Sequence, residues 1–317
     1  MERPIELVLL TGFLGSGKTT LMNALLSEKQ DTRTAILVNE FGKVGVDGAL
    51  LRRSEQARHD GEELTIYEVA DGSIFCTCKT ASFVAGLRMF ARMDDARRPE
   101  RIIVEASGMS DPSGLSRLLR ENRLAGDYVV ASVVCLVDAV RFPKLVEVLP
   151  AVRRQVEAAD LAVVNKIDLV DEEDLVSLET RLREINGRAK IVRTSHGRVT
   201  SEGLWSGRSG DLAGELVSCS TPATRPAALL LAADDIGRAE VERFLTVALG
   251  RTYRIKGWLN VDGRWFFISD NSGRIEWRPE EPPAGATPGL TVICSPEQSE
   301  ISRTDERSTS QHRRRTP

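Results

Sequence analysis

Residues 9–20 read LLTGFLGSGKTT. Within them, Gly12-Phe13-Leu14-Gly15-Ser16-Gly17-Lys18-Thr19 follows the pattern G-x-x-x-x-G-K-[ST], after the apolar run Ile5 to Leu10 and before helical spacing from Lys18 to Ser27. Strand, glycine-rich turn and helix in that order gather backbone N–H groups and a helix N-terminus around one point, which suits phosphate oxygens. The pattern gives Lys18 a point charge at the β- and γ-phosphates and places the Thr19 hydroxyl on Mg²⁺. Gly12, Gly15 and Gly17 let the backbone of this loop curl so that its N–H groups surround the phosphate oxygens.

Outward from this stretch, apolar runs of strand length recur at Ala35 to Val38, Leu64 to Val69, Ile102 to Val104, Val129 to Val137, Leu161 to Val164 and Ile191 to Val192. Helical spacing lies between most of them, at Ala81 to Met93, Leu115 to Leu124 and Leu145 to Ala159. Alternating strands and helices predict an α/β fold, a doubly wound, mostly parallel sheet covered on both faces.

Periodicity lapses from about Gly197 to Arg225, where Gly, Ser, Thr and Pro cluster. Beyond it come a strand around Leu229 to Leu231, a helix with Val241, Phe244, Leu245 and Ala248 on one face, and a hairpin turning at Asp262-Gly263. Trp258, Trp265 and Trp277 point to a second, smaller α+β domain with its own core. The expected organisation is a nucleotide domain over 1–210, a linker over 211–222, a second domain over 223–296 and a disordered tail over 297–317.

The 317 residues carry 41% hydrophobic and 28% charged side chains with a net charge of −3, so nothing in bulk attracts nucleic acid or an anionic membrane. The longest apolar run, YVVASVVCLVDAV, is broken by Asp138 and falls short of the ~20 residues of a membrane helix. No signal peptide is expected, and the cytoplasm is the expected location. Five sparse cysteines do not form the framework of a small secreted domain, so reduced thiols are expected.

LAVVNKIDLV offers Asn165-Lys166-Ile167-Asp168 after an apolar strand. A carboxylate at Asp168 accepts from both the ring N–H and the exocyclic amine of guanine, and adenine has no matching pair of donors. That selects GTP over ATP. Two further loops follow strands, VNEFGKVGVDG (38–48) and IIVEASGMSDP (102–112), where an open α/β sheet puts its ligand. Glu105 stands where a second Mg²⁺-supporting acid belongs and is a candidate to orient the attacking water. Gly108 can bring an N–H to the γ-phosphate, and Glu40 and Asp47 lie on the earlier loop.

GFLGSGKTT, VNEFGKVGVDG, DGSIFCTC, IIVEASGMSDP, QVEAADLAVVNKIDL and YRIKGWLNVDG, in this order, resemble the CobW-type GTPases, P-loop proteins related to the accessory GTPases of hydrogenase and urease maturation. The resemblance runs from about Glu6 to Pro296, with Arg254, Lys256 and Gly257 matching the recurring R-x-K-G of the C-terminal domain. It implies a GTPase that hydrolyses GTP to GDP and delivers zinc or cobalt, or activates a metalloenzyme; no arginine finger can be assigned, so slow intrinsic turnover is expected. By matching position, Gly15 to Thr20 would bind phosphate and Mg²⁺, Asn165, Lys166 and Asp168 would bind guanine, and Glu105 and Gly108 would form the second switch.

The family's metal motif is C-x-C-C, and Ser73-Ile74-Phe75-Cys76 stands in its place, with Cys78 added. Cys76 and Cys78 supply two of the four donors of a closed zinc site, with Glu40 or His59 as candidates to complete it. Three readings stay open: a metallochaperone loaded at Glu40, Cys76 and Cys78, a GTP-driven activator of a cofactor-dependent enzyme that carries no metal, and a P-loop kinase. The expected partner is a client enzyme, with a homodimer as a further option.

Overall fold

Strand β1 (Ile5–Gly12) lies in the middle of a seven-stranded sheet of order β3-β2-β4-β1-β5-β6-β7, every pair of which is parallel. The other strands are β2 (Thr34–Asn39), β3 (Thr65–Val69), β4 (Arg101–Glu105), β5 (Tyr128–Asp138), β6 (Leu161–Asn165) and β7 (Lys190–Arg193). The computed structural model describes residues 3–27, 32–39, 65–69, 80–199, 204, 227–231, 236–249, 251–271, 273–283, 286 and 288–295. They divide into two units, Met1–Ser220 and Thr221–Pro317.

The apolar runs are continuous because both faces of the sheet are covered. Ile5, Leu7 and Leu9 of β1 join one core with Phe83, Leu87 and Phe90 of α2 (Thr80–Ala91) and Leu115, Leu118 and Leu119 of α3 (Leu115–Glu121). Val8 and Leu10 point the other way, into a core with Leu21, Met22 and Leu25 of α1 (Lys18–Ser27). Neighbouring strands leave β1 in opposite directions along the chain, β4, β2 and β3 on one side and β5, β6 and β7 on the other. The carboxyl end of β1 is therefore the switch point at which such a sheet binds its ligand.

The single helix expected over Leu145 to Ala159 is two, α4 (Phe142–Val148) and α5 (Pro150–Glu157). Leu149 is extended (φ −122, ψ 101), because a residue before proline is pushed out of the helical region and Pro150 has no N–H to continue the ladder. Helix α6 (Glu172–Ile185) was hidden by its charge density; only Leu175, Leu178 and Leu182 are buried, and Asp171 caps it by accepting from Asp174 N. Val199 and Leu204, from the stretch where periodicity lapses but within the expected nucleotide domain, pack into the α1-side core of the first unit.

The second unit is an antiparallel five-stranded sheet of order β11-β10-β9-β12-β8 with one helix. Its elements are β8 (Ala227–Leu231), α7 (Arg238–Leu249), β9 (Thr252–Val261), β10 (Arg264–Asn271), β11 (Arg274–Pro279) and β12 (Gly289–Cys294). The hairpin turns at Asp262-Gly263, both left-handed (φ 50 and 74), as a two-residue type I′ connection needs. Val241, Leu245 and Ala248 of α7 pack on Ile255, Leu259, Ile268 and Leu290. Phe244, expected on that face, is 37% exposed, because it lies at the edge of the apolar stripe. Trp258 is completely buried, and its indole N–H donates to Glu280 Oε1 at 3.4 Å. No helix among the described residues is long and apolar enough to cross a membrane.

Candidate nucleotide site

The turn after β1 is shaped by its own backbone. Ser16 N donates to Phe13 O (3.1 Å), closing the loop, and Lys18, first residue of α1, is 94% buried by it: Nζ donates to Gly12 O (2.8 Å) and Phe13 O (3.2 Å). An ammonium and a helix N-terminus thus share one concavity, the arrangement that favours an anion. Ser16 is buried, Thr19 half-buried and Thr20 exposed. Gly17 has φ +108, and a Cβ there would lie 2.2 Å from Asn165 Nδ2, so only hydrogen fits.

Asn165 ends β6 and is 2% exposed. Its Nδ2 donates to Ser16 O (2.8 Å), while Oδ1 accepts from Lys166 N (2.9 Å) and Gly197 N (3.1 Å). Lys166 follows in the left-handed region (φ 66), with its ammonium 2.9 Å from Asp138 Oδ2. The other Asp138 oxygen accepts from Val140 N (3.0 Å) and Arg141 N (3.1 Å). Asp168 is exposed on the 3-10 turn Ile167–Leu169. The four-residue motif therefore divides its work: Asn165 and Lys166 join loops, and Asp168 presents a carboxylate to solvent.

Two parts of this assembly escaped sequence reasoning. Asp138, visible only as a break in an apolar run, is buried (4% exposed) and holds Lys166. The loop Ser195-His196-Gly197, after β7, is drawn to the site by Asn165, with Thr194 Oγ1 donating to Arg198 O (2.8 Å). A glycine just past a strand of the same sheet was the available signal.

Glu105 ends β4, 5% exposed, in register with Leu10 two residues before the phosphate loop begins. The loop beyond it carries Gly108, and Asp111 Oδ1 accepts from Ser113 N (3.0 Å), capping the short turn Pro112–Gly114. A half-buried threonine hydroxyl and a buried carboxylate are hard oxygen donors of the kind Mg²⁺ takes, so Thr19 and Glu105 fit that ion. Behind the phosphate loop, burial pushes the Cys135 thiol from its ordinary 9.0 up to about 12, with the Lys18 charge opposing it. Glu40, Asp47, His59, Cys76 and Cys78 lie outside the described residues. Among the described residues, no three His, Cys, Asp or Glu side chains cluster as metal ligands.

The family model described as "CobW/HypB/UreG, nucleotide-binding domain" matches residues 6–193, more than half of the chain. The chain belongs to the CobW/HypB/UreG family. Over those residues the resemblance read from the motifs is borne out, and the family's nucleotide-binding domain coincides with the seven-stranded sheet. Among curated relatives, the zinc chaperone YjiA of Escherichia coli is 32% identical over 199 residues, 62% of this chain and 59% of that protein. The zinc chaperone CobW of Pseudomonas aeruginosa is 29% identical over 219 residues, 62% and 58% of the two chains. The zinc-regulated GTPase metalloprotein activator 1 of Schizosaccharomyces pombe is 30% identical over 202 residues, 62% and 47%. The chain thus spans less than two thirds of the length of these relatives. A crystal structure of Zn(II)-bound YjiA GTPase from E. coli aligns with a TM-score of 0.48 at 22% identity, covering 94% of this chain and 97% of the other.

Proposed function

We propose that this member of the CobW/HypB/UreG family binds GTP with Mg²⁺, hydrolyses it to GDP and phosphate, and uses the cycle to deliver a divalent metal, zinc or cobalt, to a client enzyme in the cytoplasm. The observation that carries the nucleotide reading is the Asn165–Ser16 bond, which joins the phosphate loop to the loop presenting Asp168. In this reading the loop amides and Lys18 receive the phosphates, Asp168 accepts both guanine donors, and Lys166 lies along the base. The backbone of Ser195 to Gly197 faces the rim of the base. Thr19 and Glu105 would hold Mg²⁺, Glu105 through an intervening water. When bound, Mg²⁺ neutralises charge on the β- and γ-phosphates. Catalysis is mostly positioning and charge stabilisation by Lys18 and the amides, with Glu105 orienting the water and no assigned arginine finger, hence slow turnover.

Relatives described as zinc chaperones support metal delivery, and Glu40, Cys76 and Cys78 are the proposed ligands. We assign the nucleotide domain to residues 1–210 and the second domain, a client-docking candidate, to 223–296. One sequence observation favours a second reading, an activator that carries no metal: Ser73 and Phe75 stand where the family resemblance expects ligands.

Zinc and cobalt titration with GDP and with a non-hydrolysable GTP analogue, beside a phosphate-release assay, tests both readings. Metal delivery expects one nucleotide-sensitive site per chain, lost in Cys76→Ser/Cys78→Ser. GTP turnover without any metal uptake would leave the activator reading standing instead.

A further inference from the structure

We infer that Gln155 is the residue that positions the second switch loop and thereby sets how far the site favours GTP over GDP. The inference rests on the guanine-nucleotide reading above.

Gln155 lies on α5 and is 1% exposed. Its Nε2 donates to Gly108 O (3.2 Å) and to Ser110 O (3.1 Å), so both amide hydrogens are spent on the loop that follows Glu105. On its other side that loop presses on the phosphate loop: a Cβ on Gly108 would lie 2.7 Å from Leu14 N. Gly108 is therefore clamped between Gln155 and the phosphate loop, on the loop proposed to meet a γ-phosphate. The clamp has a fixed base. Asn186 Nδ2 donates to Val156 O (2.9 Å), Glu157 O (3.2 Å) and Ala159 O (2.8 Å), pinning the end of α5.

The amide carries an internal cost. Its Oε1 is buried with no hydrogen-bond partner among the described residues. An orphaned buried acceptor is destabilising, and a thioether of similar length would avoid it. What the amide supplies in exchange is its pair of donors to the loop. A loop ordered in advance binds the γ-phosphate without an ordering cost, whereas GDP does not engage it.

The test uses the full chain as Q155M, with Q155L as a second packing variant. Affinities for GDP and for a non-hydrolysable GTP analogue are measured by fluorescent-nucleotide titration, together with thermal melting and amide exchange over residues 106–112. Expected are melting close to wild type, faster exchange in that segment, GDP affinity within about twofold and analogue affinity reduced about fivefold or more, as loss of two hydrogen bonds implies. Equal changes for both nucleotides, no change, or tighter analogue binding would overturn it. A wild-type chain that binds both nucleotides while the variants keep its ratio defeats this inference alone; one that binds neither defeats the nucleotide reading as well.

Discussion

The side-chain amide of Asn165 donates a 2.8 Å hydrogen bond to the carbonyl of Ser16, so the loop proposed to read the base and the loop proposed to hold the phosphates form one buried assembly. The same side chain accepts from Gly197 N, drawing in a third loop. Phosphate and base recognition should therefore fail together when this residue is changed.

Asn165→Ala strands Ser16 O and Gly197 N, and Asn165→Asp keeps the shape while turning a carboxylate towards Ser16 O. Loss of buried hydrogen bonds of this kind costs about 2–4 kcal/mol. Both variants should melt well below wild type and bind GDP at least about tenfold more weakly by titration. An Asn165→Asp protein with unchanged affinity would show that the assembly does not matter for binding.

Asp168 is exposed, so its replacement should spare stability and change base choice. Asp168→Ala should lose about 2 kcal/mol of guanine binding, two charge-assisted hydrogen bonds, with little change in melting temperature. Asp168→Asn puts a donor where the carboxylate was and should shift preference towards xanthine nucleotides, whose C2 oxygen accepts. Competition among GTP, XTP and ATP reads the outcome, and retained guanine preference in both variants would remove Asp168 from the site.

Gly17→Ala places a methyl 2.2 Å from Asn165 Nδ2 at φ +108. Nucleotide binding should be lost with a marked drop in melting temperature. Gly126→Ala is the control, since nothing lies within 4 Å of its Cβ position, and it should behave as wild type.

In the second unit, a Cβ on Gly257 would lie 2.0 Å from Gly289 O at φ +155, because β9 and β12 approach too closely for any side chain. Gly257→Ala should destabilise that unit by more than about 3 kcal/mol. Tryptophan emission reports it, since Trp258, fully buried in wild type, would gain access to water. Unchanged emission and denaturant midpoint would count against the packing described.

Alkaline pH should weaken the first unit in a defined window. Burial raises the Cys135 thiol from 9.0 to about 12 and raises the Tyr128 phenol from 10.0, with the neighbouring Asp127 charge acting in the same direction. Between pH 9 and 12 the unfolded chain releases a thiol proton that the folded chain keeps, so the unfolded state binds fewer protons and stability falls as pH rises. The limit is about 1.4 kcal/mol per pH unit for each group. Cys135→Ala and Tyr128→Phe should each flatten the decline of melting temperature between pH 9 and 11, and the native Cys135 thiol should resist alkylation at pH 8.5. Parallel slopes in wild type and variants would remove these groups as the cause.

The α/β class, the strand runs, the phosphate loop and the hairpin at Asp262-Gly263 were legible in the sequence because each is a local pattern: continuous apolar runs, a glycine spacing, a turn dipeptide. Helix α6 and the break at Leu149 were not read from periodicity, the first because charges crowd a narrow apolar stripe, the second because Pro150 was counted as one more residue of a period. What only the tertiary structure decided is which residues hold the site together. Asp138 reaches Lys166 from another strand, Gln155 reaches Gly108 across 47 residues, and Asn165 reaches Ser16 across 149. Spacing along the chain carries no trace of such contacts. They arise because parallel pairing brings the carboxyl ends of β1, β4, β5 and β6 to one edge of the sheet, where polar groups shut away from water must find their partners in one another.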